Sequence, residues 1–464
     1  MRQIYFICFQ SLVFGIYFPK IVASFSQKEM QFYSTNGKSK EVGIEEAIFQ
    51  GLPPDNGLYM PKEIPCLSQE FWDTCDTLTF NQIAFEIASA FFGQEIPKEE
   101  LQALINQAYD FDAPSVELTE GLYCLELFHG PSMAFKDFGA RFMAAVMSYF
   151  LKKNNRDIHI LVATSGDTGG AVAQGFFGVD QIQVHILYPK GKVSEIQEKQ
   201  LTTLGANVKA YEVDGTFDDC QRLVKSTFLD EELREKYNLA SANSINIARL
   251  IPQSFYYAYT YSRLKKKGLP IVFSVPSGNF GNISAGIIAA KMGMPVHQFI
   301  AATNVNKVVP AYLESGIFEP INPSISTISN AMDVGNPSNF PRMKALYGDD
   351  YSEVKKHVKG YFYTDEETKA AIKKIDEKYG YLVCPHTAIA YLGLQDYLKT
   401  EEEPVSAVFL STAHYAKFLP DVEAVLGREL AIPERLQSLL SKKKEARALE
   451  TDYAGFKAFL LKNL

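Results

Sequence analysis

Between positions 128 and 142 the chain runs Phe128-His129-Gly130-Pro131-Ser132-Met133-Ala134-Phe135-Lys136-Asp137-Phe138-Gly139-Ala140-Arg141-Phe142, a single lysine inside an aromatic, glycine-punctuated run with the composition of buried chain. An ammonium taken out of water is costly and responds by lowering its pKa, which yields a neutral amine able to act as a nucleophile or to condense with a carbonyl. The alternative is a solvated lysine beside Asp137, the commoner place for lysine.

Two further stretches have the composition of anion sites. In the first, the apolar residues 158–163 lead into Thr164-Ser165-Gly166-Asp167-Thr168-Gly169-Gly170 and a helical pattern over 171–177. A glycine-rich turn entering a helix at the carboxyl end of a strand exposes backbone N–H groups, and the hydroxyls of Thr164, Ser165 and Thr168 add donors for an anion or a polar ring substituent. In the second, Val275-Pro276-Ser277-Gly278-Asn279-Phe280-Gly281-Asn282 precedes a helical pattern over 283–292, where several amides can converge on one phosphate. Either loop alone is equally compatible with a tight turn. Neither has the spacing of a dinucleotide fingerprint or a nucleotide P-loop. Together with Lys136 they supply the three contacts pyridoxal phosphate needs: an amine for its aldehyde, a polar loop for its ring and amides for its phosphate.

The elements that would position these residues follow from pattern. Short apolar strands at 158–163, 184–188, 271–275 and 296–301, separated by helical stretches, predict parallel βαβ units and an α/β fold of wound parallel sheets flanked by helices. Residues 30–112 mix helical patterns such as 80–92 with the turn-rich Gly51-Leu52-Pro53-Pro54-Asp55-Asn56-Gly57 and are expected to form a small helical N-terminal unit. The catalytic region is placed at 113–430, and 431–464 is expected to be a charged helical tail packed on the outside. In the 464-residue chain, 47% of residues are hydrophobic and 22% charged, enough to build two or three cored domains, and no repeat points to a solenoid. A net charge of −8 argues against a nucleic-acid partner, since the cluster Lys442-Lys443-Lys444 sits among acids. The six cysteines lack CxxC spacing and the seven histidines lack ligand spacing, so reduced thiols and no metal site are expected. Residues 1–29 have the outline of a secretory signal, but Lys20 follows the apolar run and Met30 is a second candidate start. We read them as an upstream extension and expect a cytoplasmic protein with no membrane span.

The sequence resembles the threonine synthases of the longer bacterial and fungal type, enzymes of the two-domain pyridoxal-phosphate fold shared with tryptophan synthase β, from Tyr33 to about Leu426. His129 through Phe138 is similar to the family's cofactor-lysine segment, which makes Lys136 the residue expected to hold the cofactor as an imine. The 164–169 loop resembles the one around the substrate and the cofactor's ring hydroxyl, with Asp167 where many relatives in the wider fold have Asn. The 276–282 loop resembles the phosphate site, so Gly278, Asn279, Phe280, Gly281 and Asn282 are expected there. Ser241 through Arg249 is similar to the segment receiving the substrate phosphate, which assigns Asn243, Ser244 and Arg249, with Thr164 and Ser165, to the substrate. A strand at 405–410 ends in Ser411-Thr412-Ala413-His414, and the resemblance implies that Thr412 faces the pyridine nitrogen. It also covers Ala331 through Arg342 and Cys384 through Ala388, without giving His386 or His414 a role. The implied reaction converts O-phospho-L-homoserine and water to L-threonine and phosphate, in a monomer or homodimer. The alternatives are another eliminating enzyme of the same fold, a dehydratase or phospholyase, or a catalytically silent ligand-binding protein.

Overall fold

The protein is described from a computed structural model over residues 29–463; residues 1–28, nearly all of the expected upstream extension, and Leu464 lie outside the described residues. Two sheets carry the architecture. The larger has six strands in the order Val358–Phe362, Gln298–Thr303, Ile271–Pro276, Ser406–Ser411, Leu122–Glu126, Ser115–Thr119. All neighbours are parallel except the last pair, an antiparallel hairpin turned at Gly121 in the left-handed region. The smaller has five parallel strands in the order Arg447–Leu449, Val208–Val213, Ile182–Pro189, Ile158–Ala163, Leu239–Ser241. The central strands of the larger sheet are buried along their whole length because helices cover both faces, which is why they read as continuous apolar runs. The expected α/β class of wound parallel sheets is the observed one. The helix expected over 80–92 occupies Phe80–Phe92 and begins at a capping box in which Thr79 and Gln82 satisfy each other's backbone N–H groups.

Parallel strands end on a common edge. Thr164 and Ser165 follow one strand of the smaller sheet, while Ser277 and Thr412 follow adjacent strands of the larger. The helix Lys136–Asn154 connects the sheets and packs on the helix Asp167–Phe176. The four chemistry-bearing segments are thus brought to one crevice at the carboxyl ends of strands.

Residues 29–112 are mostly helical, with one two-stranded pair, Phe32–Ser34 with Tyr59–Pro61. They share a core with the catalytic region: Phe80, Tyr109 and Phe111 all contact the ring of Phe138, and Trp72 donates its indole N–H to the Met292 carbonyl. The expected outer helical tail is corrected. Arg447–Leu449 is an edge strand of the smaller sheet, and the final helix buries Phe456 and Leu460 against Leu161, Leu187 and Leu223. A three-residue strand flanked by charges has no period to detect.

Three neighbouring strands of the smaller sheet align a buried polar chain, His159 Nδ1 to His185 Nε2 at 3.2 Å and His185 Nδ1 to the Tyr211 hydroxyl at 3.0 Å. Burial, then the nearby His159 and Lys209, pull the His185 pKa down to about 3. Unfolded histidine takes up its proton near pH 6.5, whereas the folded site refuses it. The stability this neutral His185 contributes is therefore present above about pH 6.5 and is lost as pH falls below it. His185→Gln should show a smaller drop in melting temperature than the unsubstituted protein between pH 6.5 and about 4.5, read by calorimetry; parallel curves would place the acid sensitivity elsewhere.

Candidate active site

Lys136 owes its position to a backbone clamp. Ala134 bridges Ala413, the Phe135 N–H donates to the Thr412 carbonyl at 2.8 Å, and the helix Lys136–Asn154 starts at once. Among the described residues its amine has no carboxylate or carbonyl partner, and it lies 4.6 Å from the centre of the Phe135 ring. Burial, reinforced by the charge of Arg249 and opposed by Asp167, lowers its pKa to about 8, so roughly a tenth of it is neutral at pH 7 and the share grows as pH rises. Asp137 is no partner for it: that carboxyl is fully buried, is pushed up to about 6 by burial, and accepts the Ser132 N–H at 2.9 Å.

The 164–169 loop is shaped by its own first residue. Thr164 Oγ1 accepts the N–H groups of Gly166 and Gly169, at 2.9 and 2.8 Å, which leaves this hydroxyl only its proton to offer a ligand. Ser165 is partly exposed and its hydroxyl has no partner among the described residues. Asp167 is buried, and its Oδ1 accepts from Lys417 Nζ at 2.8 Å and from Gln197 Nε2 at 3.0 Å. Burial would raise this carboxyl, but Lys417 and Gln197 outweigh it and hold it below its ordinary value, so Asp167 is ionised and acts only as an acceptor.

The 277–282 loop has the features of a phosphate cradle. Among the described residues, the N–H groups of Gly278, Asn279, Phe280, Gly281 and Asn282 donate to no protein acceptor, and Phe280 sits at φ +60°, turning the chain into the helix Gly281–Lys291. The side chains fix the loop: Asn279 Oδ1 accepts from Ser338, and Asn282 bridges the Pro276 carbonyl and the Ile283 N–H. A Cβ on Gly278 would stand 2.8 Å from the Ala331 carbonyl and 3.0 Å from Met332 Cα. The Thr412 hydroxyl, next to the lysine segment, is also without a partner.

Of the substrate residues expected from sequence, Arg249 is buried and has no ion pair. It donates to the Ala242 carbonyl at 2.6 Å and, at 3.5 Å, to the carbonyl of Lys136 itself, while its Nε has no acceptor. Burial lowers its pKa to about 10, with the charge of Asp137 opposing, and leaves it a cation without an anion. The amide oxygen of Asn243 is likewise buried without a partner. Ser244 is held by Asn339, and Arg342 ties the segment down through the carbonyls of Ser244, Ile245 and Tyr59. Arg342 closes a segment that the resemblance covers without giving it a role, and Lys417 escapes sequence reading because it is one cation in an unremarkable run. His386 is neutral, its pKa lowered to about 4 chiefly by burial, and its Nε2 accepts the Ala331 N–H. His414 caps the turn after Thr412 through Ala416 N–H.

An amine without an acid, a row of amides without protein acceptors and an unpaired hydroxyl beside the lysine, all among the described residues, fit the aldehyde, phosphate and ring nitrogen of pyridoxal phosphate. This fold and crevice define a pyridoxal-phosphate-dependent enzyme, and residues 109–412 match the family described as Pyridoxal-phosphate dependent enzyme. Residues 31–109 match Threonine synthase N terminus and residues 387–460 match Threonine synthase, C-terminal. The chain belongs to the threonine synthase family. It is 42% identical to the threonine synthase of Escherichia coli, covering 93% of this chain and 99% of that one, and 36% identical to that of Saccharomyces cerevisiae, covering 90% and 95%. Among solved structures, threonine synthase from E. coli superposes with a TM-score of 0.87 at 40% identity over 94% of this chain and 100% of that one. A pyridoxal-phosphate-bound threonine synthase from Brucella melitensis gives 0.87 at 34% identity over 93% and 99%.

Because backbone atoms surround Gly278, Gly278→Ala must displace the cradle. Cofactor affinity, followed by absorbance titration, should fall at least about tenfold, which corresponds to ~1.4 kcal/mol of overpacking. Unchanged affinity would move the cofactor phosphate away from this loop.

Proposed function

We propose that the chain converts O-phospho-L-homoserine and water to L-threonine and phosphate, with Lys136 at the centre of the reaction. The observation that carries this reading is one amine with a lowered pKa and no acidic partner among the described residues, together with two separate sets of unpaired donors, the amides of 278–282 and the guanidinium of Arg249. Two anion sites suit a phosphorylated cofactor and a phosphorylated substrate. Bound through Lys136, pyridoxal phosphate supplies an electron sink that lets bonds at the substrate's α, β and γ carbons break.

The rest is done by the protein. The amides of Gly278, Asn279, Phe280, Gly281 and Asn282 hold the cofactor phosphate, a permanent charge that neutral dipoles bind without an accompanying buried cation. Thr412 would offer its hydroxyl to the ring nitrogen, a partner that would leave that nitrogen largely unprotonated, and Asp167 would serve the ring hydroxyl. Once the substrate is seated, the Lys136 amine, in the neutral form that its lowered pKa makes accessible, removes the Cα proton and carries protons at Cβ. Arg249, with Asn243, Ser244, Thr164 and Ser165, receives the substrate phosphate and stabilises the charge that grows on it as the Cγ–O bond breaks. Water then adds at Cβ. The buried, unpaired cation is stronger here than a surface arginine would be, because no water competes for it.

The test is product identification: incubation with O-phosphohomoserine should give threonine and phosphate in equal amounts, whereas 2-oxobutanoate would mark a phospholyase. Lys136→Ala should fold and form no threonine. Arg249→Ala should lower kcat/KM for O-phosphohomoserine roughly 10- to 100-fold, the size expected for hydrogen bonds to a charged group. Unaltered kinetics would place the substrate phosphate elsewhere.

A further inference from the structure

Besides the partly buried Lys136, the crevice holds a fully buried lysine that the reaction does not use. Lys417 is fully buried, and its ammonium has three acceptors: Asp167 Oδ1 at 2.8 Å, the Ser132 carbonyl at 2.8 Å and Gln200 Oε1 at 2.9 Å. Gln200 in turn donates to the Ser132 carbonyl at 2.9 Å, and Ser194 donates to the Lys417 carbonyl at 3.0 Å. Lys417 therefore ties together the 164–169 loop, the helix Glu195–Thr202 and the segment leading to Lys136. Two lysines and one aspartate share this pocket. Asp167 is the acid whose charge acts on Lys136, while Arg249 acts in the opposite sense. His386 is close enough for its charge to matter to both, but is neutral at working pH, and Asp137 is committed to the Ser132 N–H.

A buried carboxylate with no other cation would take Lys136 as its partner, since an uncompensated buried charge is strongly unfavourable. Such a pair would fix the proton on the amine and suppress its reactivity. Lys417 and Gln197 prevent this by occupying Oδ1. Resting on the reading that Lys136 captures the cofactor, we propose that Lys417 is a positioning residue that holds Asp167 as its own ion-pair partner and thereby leaves the Lys136 amine free. It is a specific electrostatic role, separable from packing.

The experiment uses the cofactor-free protein and pyridoxal phosphate. The Lys136 amine condenses with the aldehyde, forming a carbon–nitrogen double bond and releasing water. The rate of capture, read by absorbance, follows the neutral amine and so rises with pH. The unsubstituted protein should show a midpoint near 8. In Lys417→Met, Asp167 turns to Lys136, and the midpoint should rise by about one unit or more. Lys417→Arg keeps the charge and should stay close to the unsubstituted value. The double variant Lys417→Met/Asp167→Asn should return to that value or below it. Packing damage alone would lower rates without moving the midpoint. An unmoved midpoint in Lys417→Met, or a raised one that persists in the double variant, would overturn the proposal. If Lys417→Met does not fold, Lys417→Gln takes its place: its midpoint should rise likewise, and an unmoved one would overturn the proposal. Equal capture by Lys136→Ala would instead overturn the reading on which it rests.

Discussion

An amine enclosed by protein must either find an acid or give up its proton, and the crevice depends on applying each solution to a different lysine. Lys417 finds Asp167 and two neutral acceptors and stays a buried cation. Lys136, with an aromatic ring beside it, Arg249 nearby and no acid within bonding distance, is driven toward the neutral form. The difference is one of partners, since both side chains are largely withdrawn from water. The parallel sheets make the arrangement possible, because strands running the same way deliver the loops after Ala163, Pro276 and Ser411 to one edge.

The two buried arginines show the same contrast between structure and chemistry. Arg342 spends its donors on the carbonyls of Tyr59, Ser244 and Ile245 and on the Asn339 side chain, so it staples the N-terminal unit to the substrate segment and has nothing left for a ligand. Arg249 has a donor without an acceptor and no carboxylate. Keeping such a cation desolvated costs stability, and under the proposed function a phosphate dianion would offset that cost only when ligand is present. The empty amides of residues 278–282 follow the same logic with dipoles in place of charge. Sites that are strained or unsatisfied before binding are where a fold departs from the satisfaction of its polar groups seen elsewhere.

What could be read in the sequence was what is local. The buried strands at 158–163 and 271–276, the helix at 80–92 and the three loops announced themselves through runs of one polarity bounded by glycine, and Lys136 stood out because an aromatic run surrounded it. The resemblance then assigned Arg249, Asn243, Ser244 and Thr412, none of which has a local signature of chemistry. The partners of Asp167 were hidden because Gln197 and Lys417 lie far along the chain and meet it only when the sheets are assembled. The same holds for the edge strand Arg447–Leu449, whose register is set by Val208–Val213 rather than by its own residues. Thr164 shows a further limit: its hydroxyl suits a ligand by type, yet the fold uses its lone pairs to shape the loop.

The central claim is that, of two lysines in one crevice, the fully buried Lys417 is paired and the partly buried Lys136 alone has the free amine. Reduction of the protein with borohydride in the presence of pyridoxal phosphate, followed by peptide mapping, addresses it directly. The account predicts that the pyridoxyl mass sits on the peptide containing Lys136 at close to one group per chain, with Lys417 unlabelled. Label on Lys417, or label spread over surface lysines with Lys136 unmodified, would contradict it.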